Sequence, residues 1–318
     1  MVQSRERNRI LVLMGGPDAE REVSLQSGRE IADSLRVGDR FEVFEEIIDR
    51  PDLDQLGRLI HDCRAEVVFP ALHGRWGEGG ALQELLEEIG VTYVGSRPRP
   101  AQVAMDKIAT KRLAEAERIA TPEYQVLEAG DACTLRPPLV LKPVDEGSSF
   151  DLAICRTTEE IETARADLQA RRPRLLAEAY IQGRELTVGI LCGEALPLIE
   201  IIPAVEFYDY EAKYEREDTQ YVASPDVPDG VAESCQAYAM LVYRRLGCRD
   251  LARVDFMLDA RGPWLLELNT MPGFTTHSLV PMAASATGRS MPDICAQLVE
   301  TALARIDIAP SPMSPVSR

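Results

Sequence analysis

The 318-residue chain has no excess of positive charge: 52 acidic residues stand against 35 lysines and arginines, for a net charge of −17. That balance excludes nucleic acid and anionic membrane as main partners, while leaving room for a local cationic site. No apolar run approaches the roughly eighteen residues of a membrane-spanning helix. The opening MVQSRERNR leads into a short apolar segment without a small-residue cleavage pattern, so a cytoplasmic protein is expected. The seven cysteines are odd in number and never spaced as CxxC. This excludes a zinc framework or a disulfide scaffold and leaves reduced, mostly buried thiols. The GxGxxG fingerprint is missing after the first apolar strand, which argues against a dinucleotide-dependent oxidoreductase.

What is present gathers between Leu251 and Leu279. VDFML and WLLEL, separated by DARGP, read as two strands joined by a tight turn. A turn centred near Arg261 sets Asp255 opposite Glu267 and Arg253 opposite Asn269, all on one face because strand side chains alternate with period two. Two carboxylates and a carboxamide on one face suit a hard divalent cation such as Mg²⁺ together with nucleotide phosphates. Arg253 could then stabilise charge on a transferred phosphoryl group. A solvated strand face with a surface ion pair is the equal alternative on this stretch alone. The following TMPGFTTHSL is polar and broken by Pro and Gly, which offers backbone amides and hydroxyls to an anion.

Elsewhere the order is strand, helix, strand. RILVLM, a Gly15-Gly16 turn and a helix over Val23 to Leu35 are followed by FEVFEEII, a helix at DLDQLGRLIHDC and the strand AEVVFPAL. This order predicts an open parallel sheet with ligands at the carboxyl ends of its strands. Glu20 lies before the first helix, where an acidic residue is favourable without any ligand. His73 opens the strand-end loop HGRWGEGG and reads as a contact residue. ALQELLEEIG is a helix closed by Gly90, and YVGSRPRP is a candidate boundary.

AQVAMDKIATKRLAEAERI reads as one helix. Lys107 and Lys111 share a face of it, and solvation is the ordinary fate of such lysines, so replacing Lys111 is expected to be nearly silent. Lys142 ends an apolar strand and needs an anionic partner or a route to solvent. The loop Asp145 to Ser149, including Glu146, is suited to covering phosphates, although most such loops are plain turns. Glu178 and Glu185 stand at the ends of two further strands. VEFYDYEAKYEREDTQYVASP predicts a long loop or lid, and the tail from residue 309 is expected to be disordered.

Seven of these segments, GGPDAEREVSL, ALHGRWGEGGALQ, AMDK, LKPVDEGSS, FYDYEAKY, ARVDFML and LLELNTMPGFTTHSLVP, together resemble the D-alanine:D-alanine ligases of the ATP-grasp superfamily, in order and approximate spacing. The resemblance covers residues 9 to about 305. It implies an α/β and α+β fold of three lobes: a Rossmann-like parallel domain over 1–96, a central lobe over 97–181 and a catalytic lobe over 182–308. ATP would lie between the antiparallel sheets of the last two. The implied reaction joins two D-alanine molecules through an acyl phosphate, for peptidoglycan precursor synthesis. By the same resemblance Asp255, Glu267 and Asn269 would hold two Mg²⁺, with Mn²⁺ able to replace them. Lys107, Lys142 and Lys213 would contact the ATP phosphates, Glu178 and Glu185 would serve the adenine and ribose, and Glu146 and Ser149 would complete the cofactor-binding set. Glu20 would bind the first D-alanine's ammonium and join Ser148 and Tyr214 in a hydrogen-bond network, with His73 nearby. Arg253 and the Gly273 amide would stabilise the oxyanion. Ser278 and the Leu279 amide would take the second substrate's carboxylate. A homodimer is implied.

The chain departs from the family at three places. Phe150 and Asp151 replace a small Val-Gly pair after EGSS, which puts the shape of the phosphate loop in question. Ala179 replaces a lysine at the adenine hinge, with loss of a cationic contact. PGF replaces PGM but keeps Gly273. Tyr214 implies D-alanine, not D-lactate, as acceptor. A non-catalytic nucleotide-binding relative is the remaining alternative, set against the full complement of metal and oxyanion residues.

Overall fold

The computed structural model describes residues 7–145, 151–203 and 219–306. The order is β1 (Asn8–Gly15), α1 (Arg21–Arg36), β2 (Phe41–Ile48), α2 (Leu53–Cys63), β3 (Val67–Pro70), α3 (Gly74–Gly77), α4 (Ala81–Ile89), β4 (Thr92–Tyr93), α5 (Pro98–Met105) and α6 (Lys107–Ala116). Then come β5 (Tyr124–Leu127), β6 (Leu139–Pro143), β7 (Ala153–Cys155), α7 (Thr158–Arg171), β8 (Leu175–Ala179), β9 (Arg184–Leu191), β10 (Glu194–Ile202) and β11 (Gln220–Ala223). Last are α8 (Val231–Leu246), β12 (Leu251–Asp259), β13 (Gly262–Asn269), α9 (Leu279–Ser285) and α10 (Met291–Ile306).

These strands make three sheets. The first is parallel, in the order β2-β1-β3-β4. Its centre, Ile10 to Met14, is buried on both faces, which is why that strand is apolar without alternation. Ile10, Val12 and Met14 pack with α1 and, from the far end of the chain, with Ile294 and Leu298 of α10. Leu11 and Leu13 pack with Leu56 and Ile60 of α2 and Leu82 and Leu86 of α4. Burial of each such side chain contributes about 1.5–3 kcal/mol. The turn after β1 demands glycine at Gly15: its φ is +101°, and a Cβ there would meet the Ile48 carbonyl at 2.6 Å.

The second sheet, β5-β8-β6-β7, is antiparallel, and its Leu139, Leu141 and Ala177 pack with Ile161 and Leu168 of α7. The third, β11-β10-β9-β12-β13, is also antiparallel. One face of β9 and β12 (Leu186, Val188, Val254, Phe256) packs with Cys235, Ala239 and Val242 of α8. By period two, the other face carries Glu185, Thr187, Arg253 and Asp255.

Two sequence expectations change here. The segment read as one helix is two, broken at Asp106 (φ −79°, ψ 101°), whose carboxylate caps α6 by accepting from the Ile108 and Ala109 amides at 2.9 and 3.2 Å. The boundary segment is also shorter than expected, because Pro98 begins α5, where a missing N–H costs nothing.

The hairpin register is the expected one, Asp255 opposite Glu267 and Arg253 opposite Asn269, but for a different reason. Asp259 pairs with Gly262 and Phe256 with Leu265, so the turn is centred between Ala260 and Arg261. Pairing continued from there would set Leu266 opposite Asp255. The register shift between Asp255 and Phe256 takes up Leu266 as an extra residue and returns Glu267 to the acidic face.

Candidate active site

The acidic face of the hairpin is crossed by cations. Arg253 donates from Nε to Asp255 Oδ1 at 2.9 Å and from Nη2 to Asp255 Oδ2 at 2.7 Å, a two-point pair. Thr187 Oγ1, on the neighbouring strand, donates to Asp255 Oδ1 at 2.6 Å. Lys107 Nζ stands 3.1 Å from Glu267 Oε2, and Asn269 Oδ1 accepts the Met271 amide at 3.0 Å. Among the described residues, no group of three His, Cys, Asp or Glu side chains is placed to hold a metal. The donor set is two carboxylates and a carboxamide, all hard oxygens, which fits Mg²⁺ if phosphate oxygens and water complete its shell.

A second group lies where α6 meets the central sheet. Glu178 is 3% exposed and stands between two ammonium groups, Lys111 Nζ at Oε1 and Lys142 Nζ at Oε2, the latter at 2.5 Å. Burial alone would raise the Glu178 carboxyl, but Lys142 and Lys111 outweigh it and hold it below the ordinary carboxylate range. Burial would depress Lys142, yet Glu178 and Glu267 keep it above the usual lysine value. Lys111 is fully buried and therefore not the solvated residue expected from its helical position. Glu185 pairs across the ladder with Met257, on the same face as Thr187 and Asp255.

The third group joins the ends of the first sheet to the loop after β13. Glu20 precedes α1 and His73 precedes α3, both buried. His73 Nδ1 lies 2.9 Å from the Met271 carbonyl, so Nδ1 carries the proton and donates. Burial first, and then Arg253, push the imidazole below its ordinary value, against Glu20 and the Met271 carbonyl. His73 is therefore neutral, and its buried Nε2, which meets no hydrogen-bond partner among the described residues, is an acceptor.

Glu78, which no sequence pattern singles out, accepts the Gly74 amide at 3.1 Å and the Met271 amide at 3.2 Å. Burial and then Glu20 push its carboxyl well above the ordinary range, against those amides and Arg253. His73 and Glu78 thus hold the C=O and the N–H of the same residue. A cavity of about 30 Å³ between these groups is lined by Glu78, Lys107, Glu267, Asn269 and Thr270.

The loop expected to present open amides has partners for several of them. Phe274 N donates to Ser27 Oγ at 3.1 Å, Thr275 N to Ser278 Oγ at 2.9 Å and Thr276 N to Glu30 Oε2 at 2.6 Å. Gly273 is not at positive φ; a Cβ there would stand 3.2 Å from Ser278 Oγ. Ser278 and Leu279 form the start of α9.

Comparison with known proteins bears on this geometry. The family described as D-ala D-ala ligase C-terminus matches residues 108–300, and that described as D-ala D-ala ligase N-terminus matches 52–96. The chain belongs to the D-alanine–D-alanine ligase family. Relatives of that name from Bordetella pertussis and Desulforudis audaxviator are each 42% identical, over 95% and 93% of this chain and 98% and 99% of their own. Among solved structures, the D-alanine–D-alanine ligase of Bacillus anthracis complexed with ATP superposes with a TM-score of 0.83 at 31% identity, covering 96% of this chain and all of that one. The Coxiella burnetii ligase gives 0.81 at 28% identity, covering 96% of each chain. The ATP-grasp fold expected from the sequence is the one observed.

Among the residues that depart from the ligase family's pattern, Asp151 adopts φ +55°, the left-handed conformation glycine takes freely, and pairs with Arg171 at 2.9 Å. Glu146, Ser148, Ser149, Phe150, Lys213 and Tyr214, and the tail from residue 309, lie outside the described residues. Among the described residues no helix is long and apolar enough to cross a membrane.

Proposed function

We propose that this chain joins two D-alanine molecules to D-alanyl-D-alanine at the expense of ATP, releasing ADP and phosphate, in peptidoglycan precursor synthesis. The observation that carries the reading is the pairing of acidic hairpin rungs with a lysine wall: Asp255 and Glu267 on one side, Lys107 and Lys142 on the other. A carboxylate attacking the γ-phosphate of ATP brings anions together, and an array of fixed cations lowers that barrier. Two Mg²⁺ held by Asp255, Glu267 and Asn269, or Mn²⁺ in their place, would supply further charge neutralisation.

In this reading Lys107, Lys142 and Lys213 contact the ATP phosphates, Glu146 and Ser149 belong to the cofactor-binding set, and Glu178 and Glu185 serve the adenine and ribose. Glu20 binds the ammonium of the first D-alanine, and the Nε2 lone pair of neutral His73 accepts from the same substrate. Glu20, Ser148 and Tyr214 are taken as one hydrogen-bond network. The substrate carboxylate takes the γ-phosphoryl group and ADP leaves. The amine of the second D-alanine then attacks the acyl carbon, and phosphate departs from the tetrahedral intermediate. Arg253 and the Gly273 amide face the oxyanion, while the Ser278 hydroxyl and the Leu279 amide hold the second carboxylate. The reading also takes residues 1–96, 97–181 and 182–308 as the three lobes, a homodimer as the assembly, the cytoplasm as the location, and no nucleic-acid partner.

The test is ADP release by the purified protein with Mg²⁺-ATP and either D-alanine or L-alanine, with the product identified by mass. D-alanine-dependent ADP together with dipeptide is expected. Faster joining of D-alanine to D-lactate moves the acceptor, and no ADP with any amino or hydroxy acid overturns the reading. Glu267→Ala is expected to reduce turnover by roughly a hundredfold or more while the fold persists.

A further inference from the structure

Lys111 is among the largest side chains with no exposure at all, and buried lysines need a reason. Its Nζ meets three acceptors: Thr121 Oγ1 at 2.7 Å, the Pro122 carbonyl at 3.3 Å and Glu178 Oε1. Two hydrogen bonds and one ion pair surround the ammonium group, as suits its charged form. The Tyr124 ring, 5.2 Å from Nζ, covers it further. Thr121 in turn donates to the Leu265 carbonyl at 2.8 Å, which ties this lysine to the hairpin. One turn earlier, Lys107 reaches Glu267 on that hairpin. Helix α6 thus sends one lysine to the metal side of the site and one to the nucleotide side.

Glu178 is consequently shared. Two ammonium groups share the one carboxylate of Glu178, and the excess charge on Lys142 is balanced only through space by Glu267 and Asp255, an arrangement that an anionic ligand beside Lys142 would relieve. Lys142 can turn toward such a ligand because the carboxylate keeps a second cation, and Lys111, fixed by Thr121 and Pro122, cannot follow it. We propose that Lys111 is a positioning residue of the nucleotide site: it fixes the Glu178 carboxylate and so leaves the Lys142 ammonium available to an anion, without touching the ligand itself. This rests on the reading in which Glu178 and Lys142 face ATP.

The experiment is a double-mutant cycle of Lys111→Met and Glu178→Gln, read as the Kd for Mg²⁺-ATP by calorimetry and as kcat and KM for ATP and for D-alanine. Lys111→Met is expected to weaken ATP by about tenfold, the size of one charge-assisted hydrogen bond, with kcat at saturating ATP and KM for D-alanine kept within about threefold. In the Glu178→Gln background the same change is expected to cost less than about twofold, because its target is gone. An unchanged ATP affinity, an equal cost in both backgrounds, or a loss carried by kcat overturns the proposal. If Lys111→Met shows no cooperative melt, Thr121→Val, which removes one anchor of the ammonium, is expected to weaken ATP by about threefold, and no change there overturns it. A wild-type protein that binds Mg²⁺-ATP but makes no dipeptide overturns the ligase reading alone; one that binds no Mg²⁺-ATP overturns both.

Discussion

The Glu78 carboxyl is pushed well above its ordinary range in the folded protein because the amides of Gly74 and Met271 do not offset full burial beside Glu20. A carboxyl raised in this way binds its proton more tightly folded than unfolded. Its contribution to stability is fully present below the ordinary value of 4.5 and is lost as pH rises through the folded value. Glu78→Gln cannot ionise, but it turns an NH₂ toward one of the two amides, at a cost of about 1–2 kcal/mol. The wild-type advantage over Glu78→Gln is therefore expected to be largest at the acid end and to shrink toward alkaline pH. Thermal midpoints of the two proteins compared between about pH 5 and pH 9 check this, and a gap that widens with pH would refute it. His73, which shifts in the opposite direction, is present in both and cancels. His73 was readable from its position at a strand end. Glu78 was not, since a lone glutamate in a glycine loop reads as exposed until the loop is seen buried against Met271. Lys111 was misread for the same reason: helical spacing says which residues share a face, not whether that face meets water or a second sheet.

At the scale of elements, the hairpin was legible because two short apolar runs, VDFML and WLLEL, flank the turn segment DARGP. The extra residue at Leu266 was not legible, because a bulge leaves no mark in apolar periodicity. Glu194–Ile202 and the second-sheet helix Thr158–Arg171 also passed unread, the helix because its apolar residues are few and its surface face is long. The break at Asp106 is the counterpart: a strong cap sits inside a sequence whose propensity is helical throughout. That cap orients Lys107, whose own amide donates to the Val144 carbonyl at 3.1 Å. Asp106→Ala is expected to cost about 1 kcal/mol of stability, while Asp106→Asn, an equally good cap, costs little. The alanine variant should also lose ADP release through a displaced Lys107. Thermal midpoints and turnover of the two variants, side by side, decide it; equal behaviour would mean that the cap does not set the lysine.

On the scale of the whole molecule, the first and last parts of the chain share one core. Ile10, Val12 and Phe69 of the parallel sheet pack with Phe274, Leu279, Ile294 and Leu298. The seam is locked at Asp250, a 3% exposed carboxylate in a left-handed turn before β12. Arg305 Nη1 donates to its Oδ1 at 2.6 Å and Nη2 to its Oδ2 at 2.9 Å, and Nη2 also reaches the Tyr93 carbonyl at 2.8 Å. Gly95 N donates to Oδ2 at 2.7 Å. One carboxylate therefore joins the exit of the parallel sheet, the entry to the acidic hairpin and the last helix. Removing a partner from a buried pair costs about 3–5 kcal/mol, and less here, about 2–3 kcal/mol, because Arg305 is partly exposed and the Gly95 amide remains. Arg305→Ala is expected to lower the unfolding free energy by that amount, with the urea midpoint falling in proportion, in a single transition, because the shared core makes the first and third sheets one cooperative unit. Two separated transitions, followed by fluorescence of Trp76 in α3, which packs against the first sheet, and of Trp264 in the hairpin, would show that the seam, not the core, couples them.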